Sequence, residues 1–316
     1  MSPAELRSDE LAAFATNTYH PCVTTPTQSL SECRRIARRS RSSFRFAFAV
    51  LAADQRNAMN ALYAFFRLSD DLGDDPALGS PEVRRHRLQQ WRMELDQALA
   101  GRFSHPIHEA LRWAVLEFGI PPRYLHDVLD GCESDLDGRT MQTFEELRGY
   151  CYRVASAVGL ACIRVWGLKP GCSWEEAEPP ATEAGYAFQL TNILRDLGTD
   201  ARAGRVYLPA DELARYGLEP QTWLEPGSSG RLQGLLDFQI ERARNYYRSS
   251  ERLNDLLSPR GRAIHGLMRD AYSGLLERIA RAGPAALTRR VRLTRREKLQ
   301  LFGGVVFAKL RTFNSR

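Results

Sequence analysis

Long apolar runs are missing from this chain. No stretch approaches the roughly 18 apolar residues that a membrane-spanning helix needs, and the longest candidates, near Val50 and near Gly304, are short. That excludes a hydrophobic spanning helix. Metal-binding cysteine patterns are missing too: Cys22, Cys33, Cys132, Cys151, Cys162 and Cys172 contain no CxxC pair and no ligand spacing with histidine, which excludes a zinc finger or ribbon. Cys151 and Cys162 lie in apolar helical context, where a free thiol packs as a small hydrophobe, and all six read as reduced. His20, His86, His105, His108, His126 and His265 are scattered among polar neighbours without a catalytic partner, and most read as surface residues. No GxGxxG follows a strand, although this decides little about a nicotinamide cofactor. Internal repeats, composition shifts and strand-type alternation are also lacking.

What remains is helical. Apolar residues recur at helical spacing near 29–40, 42–52, 55–75, 82–100, 105–118, 122–135, 144–167, 174–200, 232–256 and 260–281. Turn residues separate them at Pro76 to Pro81, Gly101, Gly119 to Pro122, Leu168 to Ser173 and Glu219 to Gly230. A chain of 316 residues fits one large domain or two ordinary ones. The pattern predicts one all-α domain around a central cavity over 29–288, with an N-terminal extension at 1–28 and a basic segment at 289–316 belonging to the same domain. The start, MSPAELRSDELAAF, carries charges where a secretory signal needs an apolar core, so a cytoplasmic location is expected.

Two aspartate-rich segments stand out. The first is Asp70-Asp71-Leu72-Gly73-Asp74-Asp75; the second, QLTNILRDLGTD, runs from Gln189 to Asp200. Each sets carboxylates four residues apart on one helix face, where like charges destabilise a bare helix. The arrangement is explained if divalent cations lie between the clusters, because magnesium takes a few carboxylates together with water and phosphate oxygens. A solvated acidic face is the alternative for either segment alone. Tyr63, Arg67, Asp70/Asp71 and Asp74 form one stripe on an otherwise apolar helix, and Gln189, Asn192, Asp196 and Asp200 form another, packed through Leu190, Ile193, Leu194 and Leu197. Two such stripes favour a shared cavity and diphosphate chemistry.

The segments LYAFFRLSDDLGDD, YCYRVASAVGLACIRVWG (150–167) and YAFQLTNILRDLGTDARAGRVYLPADEL (186–213) resemble the signature blocks of the squalene/phytoene synthase family. A weaker block, Ser43-Phe44 within RSSFRFAF, resembles the family's N-terminal segment, and the likeness runs from about residue 38 to about 301. The resemblance implies an isoprenoid-synthase-like helical bundle. It also implies a transferase that joins two identical prenyl diphosphates head to head through a cyclopropylcarbinyl diphosphate.

By motif match, Asp70, Asp71, Asp74, Asp196 and Asp200 are implied as magnesium ligands, with Asp75 also credible as a surface acid. Arg67, Arg195 and Arg205 are implied to grip diphosphates, while each could instead be an ion-pair partner of a nearby aspartate. Tyr63 and Tyr150 are implied beside the reacting carbons. Ser43, Phe44, Val154, Gly159, Gln189, Asn192 and Tyr272 are implied as substrate contacts, with helix packing the alternative for Val154. The family's basic partner near Ser43 is replaced by Ser40 and Arg41. The stretch 200–209 resembles a flap able to close over diphosphates. The acidic stretch Asp127 to Asp137 reads as a helix cap balancing arginines.

Farnesyl diphosphate is the expected substrate, giving presqualene diphosphate and then squalene, hydroxysqualene or dehydrosqualene; geranylgeranyl diphosphate, giving phytoene, is the alternative. NADPH would be required for squalene. The charge of +6 concentrates at the end, where Arg289 to Lys309 mixes basic and apolar residues; this segment either packs as a terminal helix or docks on anionic membrane. No aromatic-basic pattern suggests nucleic acid. A non-catalytic relative serving as a helical assembly or lipid-binding protein would be expected to have lost the aspartates, and both clusters are intact.

Overall fold

A computed structural model describes residues 26–39, 43–138, 140–219, 229–287 and 291, with backbone alone over 43–46. Helices α1 (Pro26–Arg39), α2 (Ala53–Asp74), α3 (Pro81–Leu99), α4 (His108–Glu117) and α5 (Pro122–Asp135) form the first half. A 3₁₀ turn, Ser43–Val50, leads into α2. Then come α6 (Phe144–Cys151), a π-turn (Tyr152–Ser156), α7 (Ala157–Trp166), α8 (Trp174–Arg202), α9 (Ala210–Arg215), α10 (Ser229–Ser249), α11 (Leu253–Leu256) and α12 (Pro259–Ala282), closed by a 3₁₀ turn at Gly283–Leu287. Among the described residues the one β feature is an isolated bridge between Leu168 and Leu257. No helix among them is long and apolar enough to cross a membrane.

Local chemistry sets the helix ends. Ser173 opens α8 with a capping box: its hydroxyl accepts from the Glu176 N–H, and the Glu176 carboxylate accepts from the Ser173 N–H at 3.1 Å. Ser80 and Ser258 cap α3 and α12, each followed by proline in the first turn. α7 stops at Gly167, whose φ of 79° lies in the left-handed region.

The long helix α8, 29 residues or about 43 Å at 1.5 Å per residue, unites two halves of the core. Ala177, Ala181 and Ala184 pack with Phe65, Trp91, Tyr124 and Trp166. Further along, Leu190, Ile193, Leu194 and Leu197 pack with Leu235, Tyr247 and Ile279. The expected packing face of this helix is therefore buried. Two glycines let the backbone approach closely: a Cβ at Gly185 would lie 2.4 Å from the Ser156 hydroxyl, and one at Gly198 would lie 1.9 Å from the Leu287 carbonyl oxygen.

Three features differ from the sequence expectation. The segment 144–167 is not one helix, because the π-turn interrupts it where Ser156 donates to the Thr182 carbonyl at 2.7 Å. A short helix, α9, follows 200–209; its Glu212 is buried and ion-paired with Arg242 of α10 at 2.6 Å. The histidines are not mostly superficial either. His108 and His265 are 1% and 2% exposed, and His105 stacks edge-on against Trp91. The His108 Nδ1 accepts the backbone N–H groups of Ser104 and His105 ahead of α4, which polar neighbours in sequence concealed. Of the cysteines, Cys33, Cys132, Cys151, Cys162 and Cys172 are free thiols; Cys22 and His20 lie outside the described residues, as does the basic terminal segment apart from Val291.

Gly198→Ala should destabilise the fold by about 3 kcal/mol, since backbone must move to admit the methyl; urea unfolding of both proteins measures this, and an unchanged midpoint would contradict the packing. Burial, with His105 nearby, pushes His108 down to about 3 from its ordinary 6.5. The unfolded chain therefore takes up the proton first, and stability falls as pH drops below 6.5. Between pH 7 and 5 this group should cost about 2 kcal/mol, so a folded His108→Gln variant should lose that much less than wild type when unfolded at both pH values.

Candidate active site

The C-terminal halves of α2 and α8 bring the aspartates to one end of an apolar cavity. Asp70, Asp71 and Asp74 project from α2, Asp196 and Asp200 from α8. Between them lies Arg205, just past the end of α8, with its guanidinium 3.8 Å from Asp74 and 3.7 Å from Asp200. One cation thus bridges the two clusters. Arg67 pairs with Asp71 and Arg195 with Asp196, so the ion-pair alternative describes both in this state. Asp75 is turned away: its carboxylate accepts the Ala77 N–H at 2.9 Å and caps the following turn.

The first stripe is more open than its apolar helix suggests, with Asp71 and Asp74 side chains 43% and 66% exposed. Asp70 is exposed as well; desolvation by the protein packed beneath it, with the Asp74 charge adding and Arg67 opposing, pushes its carboxyl up to about 7. The Cys132 thiol lies 3.8 Å from it. Among the described residues no three acidic, histidine or cysteine side chains converge tightly enough to form an all-protein metal cage. That donor set suits magnesium, which keeps waters and shares substrate oxygens.

Below the carboxylates, Tyr63, Val154, Gly159, Gln189, Asn192 and Tyr272 all line one cavity of about 250 Å³, completed by residues such as Phe66, Phe188, Trp166 and Met268. The Phe188 and Tyr272 ring centroids are 4.9 Å apart. The Asn192 Oδ1 is buried and accepts no hydrogen bond. His265, unforeseen here, also reaches this wall; its Nδ1 lies 2.8 Å from the Asn254 Oδ1. The side chains of Ser43 and Phe44 lie outside the described residues.

Tyr150 faces elsewhere. The π-turn separates it from Val154, which lines the cavity, and Tyr150 instead stacks on Tyr207 at 5.2 Å in a neighbouring cleft that Arg205 also lines. The Tyr207 hydroxyl donates to Asp135 at 3.1 Å. Burial pushes the Asp135 carboxyl up to about 6, with the Tyr150 hydroxyl opposing and the Asp74 charge adding. Asp135 is therefore more than a helix cap, contrary to expectation, and adjoins the carboxylate end; its place between Gly131 and Asp137 was the available signal. The proposed flap is pinned at one end, with Leu208 fully buried and Tyr207 held by Asp135, and turns at Gly204, φ 76°.

Comparison with known proteins fits this geometry. The squalene/phytoene synthase family profile matches residues 37–297. A 15-cis-phytoene synthase of Synechococcus elongatus is 34% identical over 233 residues, covering 71% of this chain and 75% of the relative. A phytoene synthase of Arthrospira platensis is 35% identical, covering 73% and 78%. Among solved structures, a dehydrosqualene synthase with bound ligand superposes with a TM-score of 0.78 at 27% identity, covering 89% of this chain and 96% of that one. A squalene synthase from Alicyclobacillus acidocaldarius gives 0.73 at 26%, covering 81% and 94%. With two facing aspartate helices above an apolar cavity and a profile match over most of its length, the chain belongs to the squalene/phytoene synthase family and is a prenyltransferase of that type.

Proposed function

We propose that this chain condenses two geranylgeranyl diphosphates head to head, with magnesium, to form phytoene. The observation that carries the chemistry is the pair of aspartate clusters bridged by Arg205 at the mouth of an apolar cavity. The choice of the twenty-carbon substrate revises the farnesyl expectation: the relatives at 34% and 35% identity are named phytoene synthases, while the squalene-type neighbours stand at 26% and 27%. Joining two prenyl chains with loss of protons needs no reductant, so NADPH has no part in this reading.

Asp70, Asp71, Asp74, Asp196 and Asp200 would hold the magnesium ions, which supply charge to the departing diphosphate when bound. Arg67, Arg195 and Arg205 then exchange carboxylate partners for diphosphate oxygens, each offering a planar fork of donors. Tyr63, Phe188 and Tyr272 present aromatic faces that favour an allylic cation. Gln189 and Asn192 orient the head of the chain without adding charge. The rest of the wall is apolar and excludes water that would capture the cation. A cytoplasmic place with peripheral membrane contact through 289–309 remains part of the proposal.

Purified protein with magnesium should convert geranylgeranyl diphosphate to phytoene, identified by mass. Hydrocarbon from farnesyl diphosphate alone would overturn the substrate assignment. Asp196→Asn should reduce turnover roughly hundredfold or more with the melting temperature within a few degrees of wild type; near-normal turnover would refute the two-cluster site. Arg205→Ala should weaken substrate binding about tenfold, its exposure moderating the effect, and should release prenyl alcohol as water reaches the cation. Unchanged KM with no alcohol would return Arg205 to a purely structural role.

A further inference from the structure

On the other side of the α6 and π-turn segment lies a polar cleft of about 740 Å³, lined by Thr140, Gln142, Tyr150, Arg153, Arg205 and Tyr207 among others. Arg153 is fixed there by backbone geometry. It belongs to the π-turn, and α5 presses against that turn at Gly131, where a Cβ would lie 2.7 Å from Val154 and 3.2 Å from the Arg153 Cβ. Its Nε is buried without a hydrogen-bond partner. A buried donor placed so is open to an acceptor.

The carboxylates lining the cleft are already engaged. Asp135 accepts from Tyr207 at 3.1 Å, Asp137 from Arg85 at 2.8 Å, and Glu146 from the Gln142 N–H at 2.7 Å. The unpartnered donor in the cleft is the Arg153 Nε, and an acceptor-rich anion supplies what it lacks. Arg205 connects this cleft with the reaction site, since the same side chain contacts Asp74 and Asp200 at long range.

The geometry points to a holding site for inorganic diphosphate in this cleft, with Arg153 as its main cation and Arg205 handing the anion over from the carboxylate end. The inference rests on reading that end as the place where prenyl diphosphates ionise. Each turnover frees a small, multiply charged anion there. Arg205 and then Arg153 form a stepwise route by which it leaves without crossing the apolar cavity.

The test is calorimetric binding of inorganic diphosphate to the full chain in excess EDTA, where the aspartate clusters lack metal and repel anions. Wild type should bind at one site. Arg153→Gln should weaken binding about tenfold or more, as expected for loss of a charge-assisted contact, and Arg153→Lys should retain most of it. Gln142→Glu, an exposed change in the cleft wall, should also weaken binding and serves if Arg153→Gln folds poorly by thermal melting. Asp196→Asn should keep this metal-free binding while losing the magnesium-dependent binding; retention of both would count against the reaction-site reading and leave the cleft standing. Absence of metal-free binding in wild type, or equal binding in folded Arg153→Gln and Gln142→Glu, would overturn the inference. So would metal-free binding of geranylgeranyl diphosphate as tight as that of inorganic diphosphate, which would mark a substrate subsite.

Discussion

Two helices that each end in carboxylates are made to face one another, and much of the molecule serves to keep them there. Left alone, the ends of α2 and α8 would repel. They are held by packing remote from the charges: α8 is locked by the apolar ridge from Leu190 to Leu197 and by the close approach of Gly198 to Leu287. α2 is buried on its opposite side through Ala58, Ala61, Leu62 and Phe65. Arg205 relieves the repulsion from between the clusters, and within the first cluster desolvation and the Asp74 charge raise the proton affinity of Asp70. Frustration of this kind at a rigid site is what a cation-dependent reaction can use, because the charge that relieves it arrives with the substrate.

The π-turn divides the functional surface. In a regular helix Tyr150 and Val154, four residues apart, would share one face. Here the extra residue in the turn sends Val154 into the apolar cavity and leaves Tyr150 and Arg153 in the polar cleft. One chain segment thereby serves two environments of opposite polarity, as π-turns at functional sites often do. Gly131 and Gly185 make it feasible, since a side chain at either would collide with the turn.

The polar stripes of α2 and α8 were legible because they combine helical spacing with residue types that a buried face does not otherwise tolerate. The cavity lining from Tyr63, Gln189 and Asn192 followed from the same motif blocks, Tyr272 was implied by the family resemblance, and the structure brings all four to one cavity. Other parts depend on tertiary contact and left little local trace. His108 accepts two backbone N–H groups from a turn, a role that a polar sequence neighbourhood disguises as exposure. The π-turn is accommodated by glycines on two other helices, Gly131 and Gly185. Asp135 owes its raised proton affinity to burial, with the Tyr150 and Tyr207 hydroxyls opposing and the Asp74 charge adding, none of them adjacent in sequence.

The same physics explains why sequence relatives and structural neighbours bear different substrate names. Ionising a diphosphate demands charges at set positions whatever the length of the hydrocarbon attached, so the aspartate helices and their arginines answer to the diphosphate and not to the chain it carries. The cavity wall includes apolar side chains such as Trp166, Ala181 and Phe48, whose volumes bound the hydrocarbon that fits. A methylene there changes the free energy by about 0.8 kcal/mol, too little to alter the fold and enough to change the preferred substrate when several act together. Family membership therefore speaks to the shared chemistry, while apolar wall residues of this kind carry no motif from which a chain length could be read.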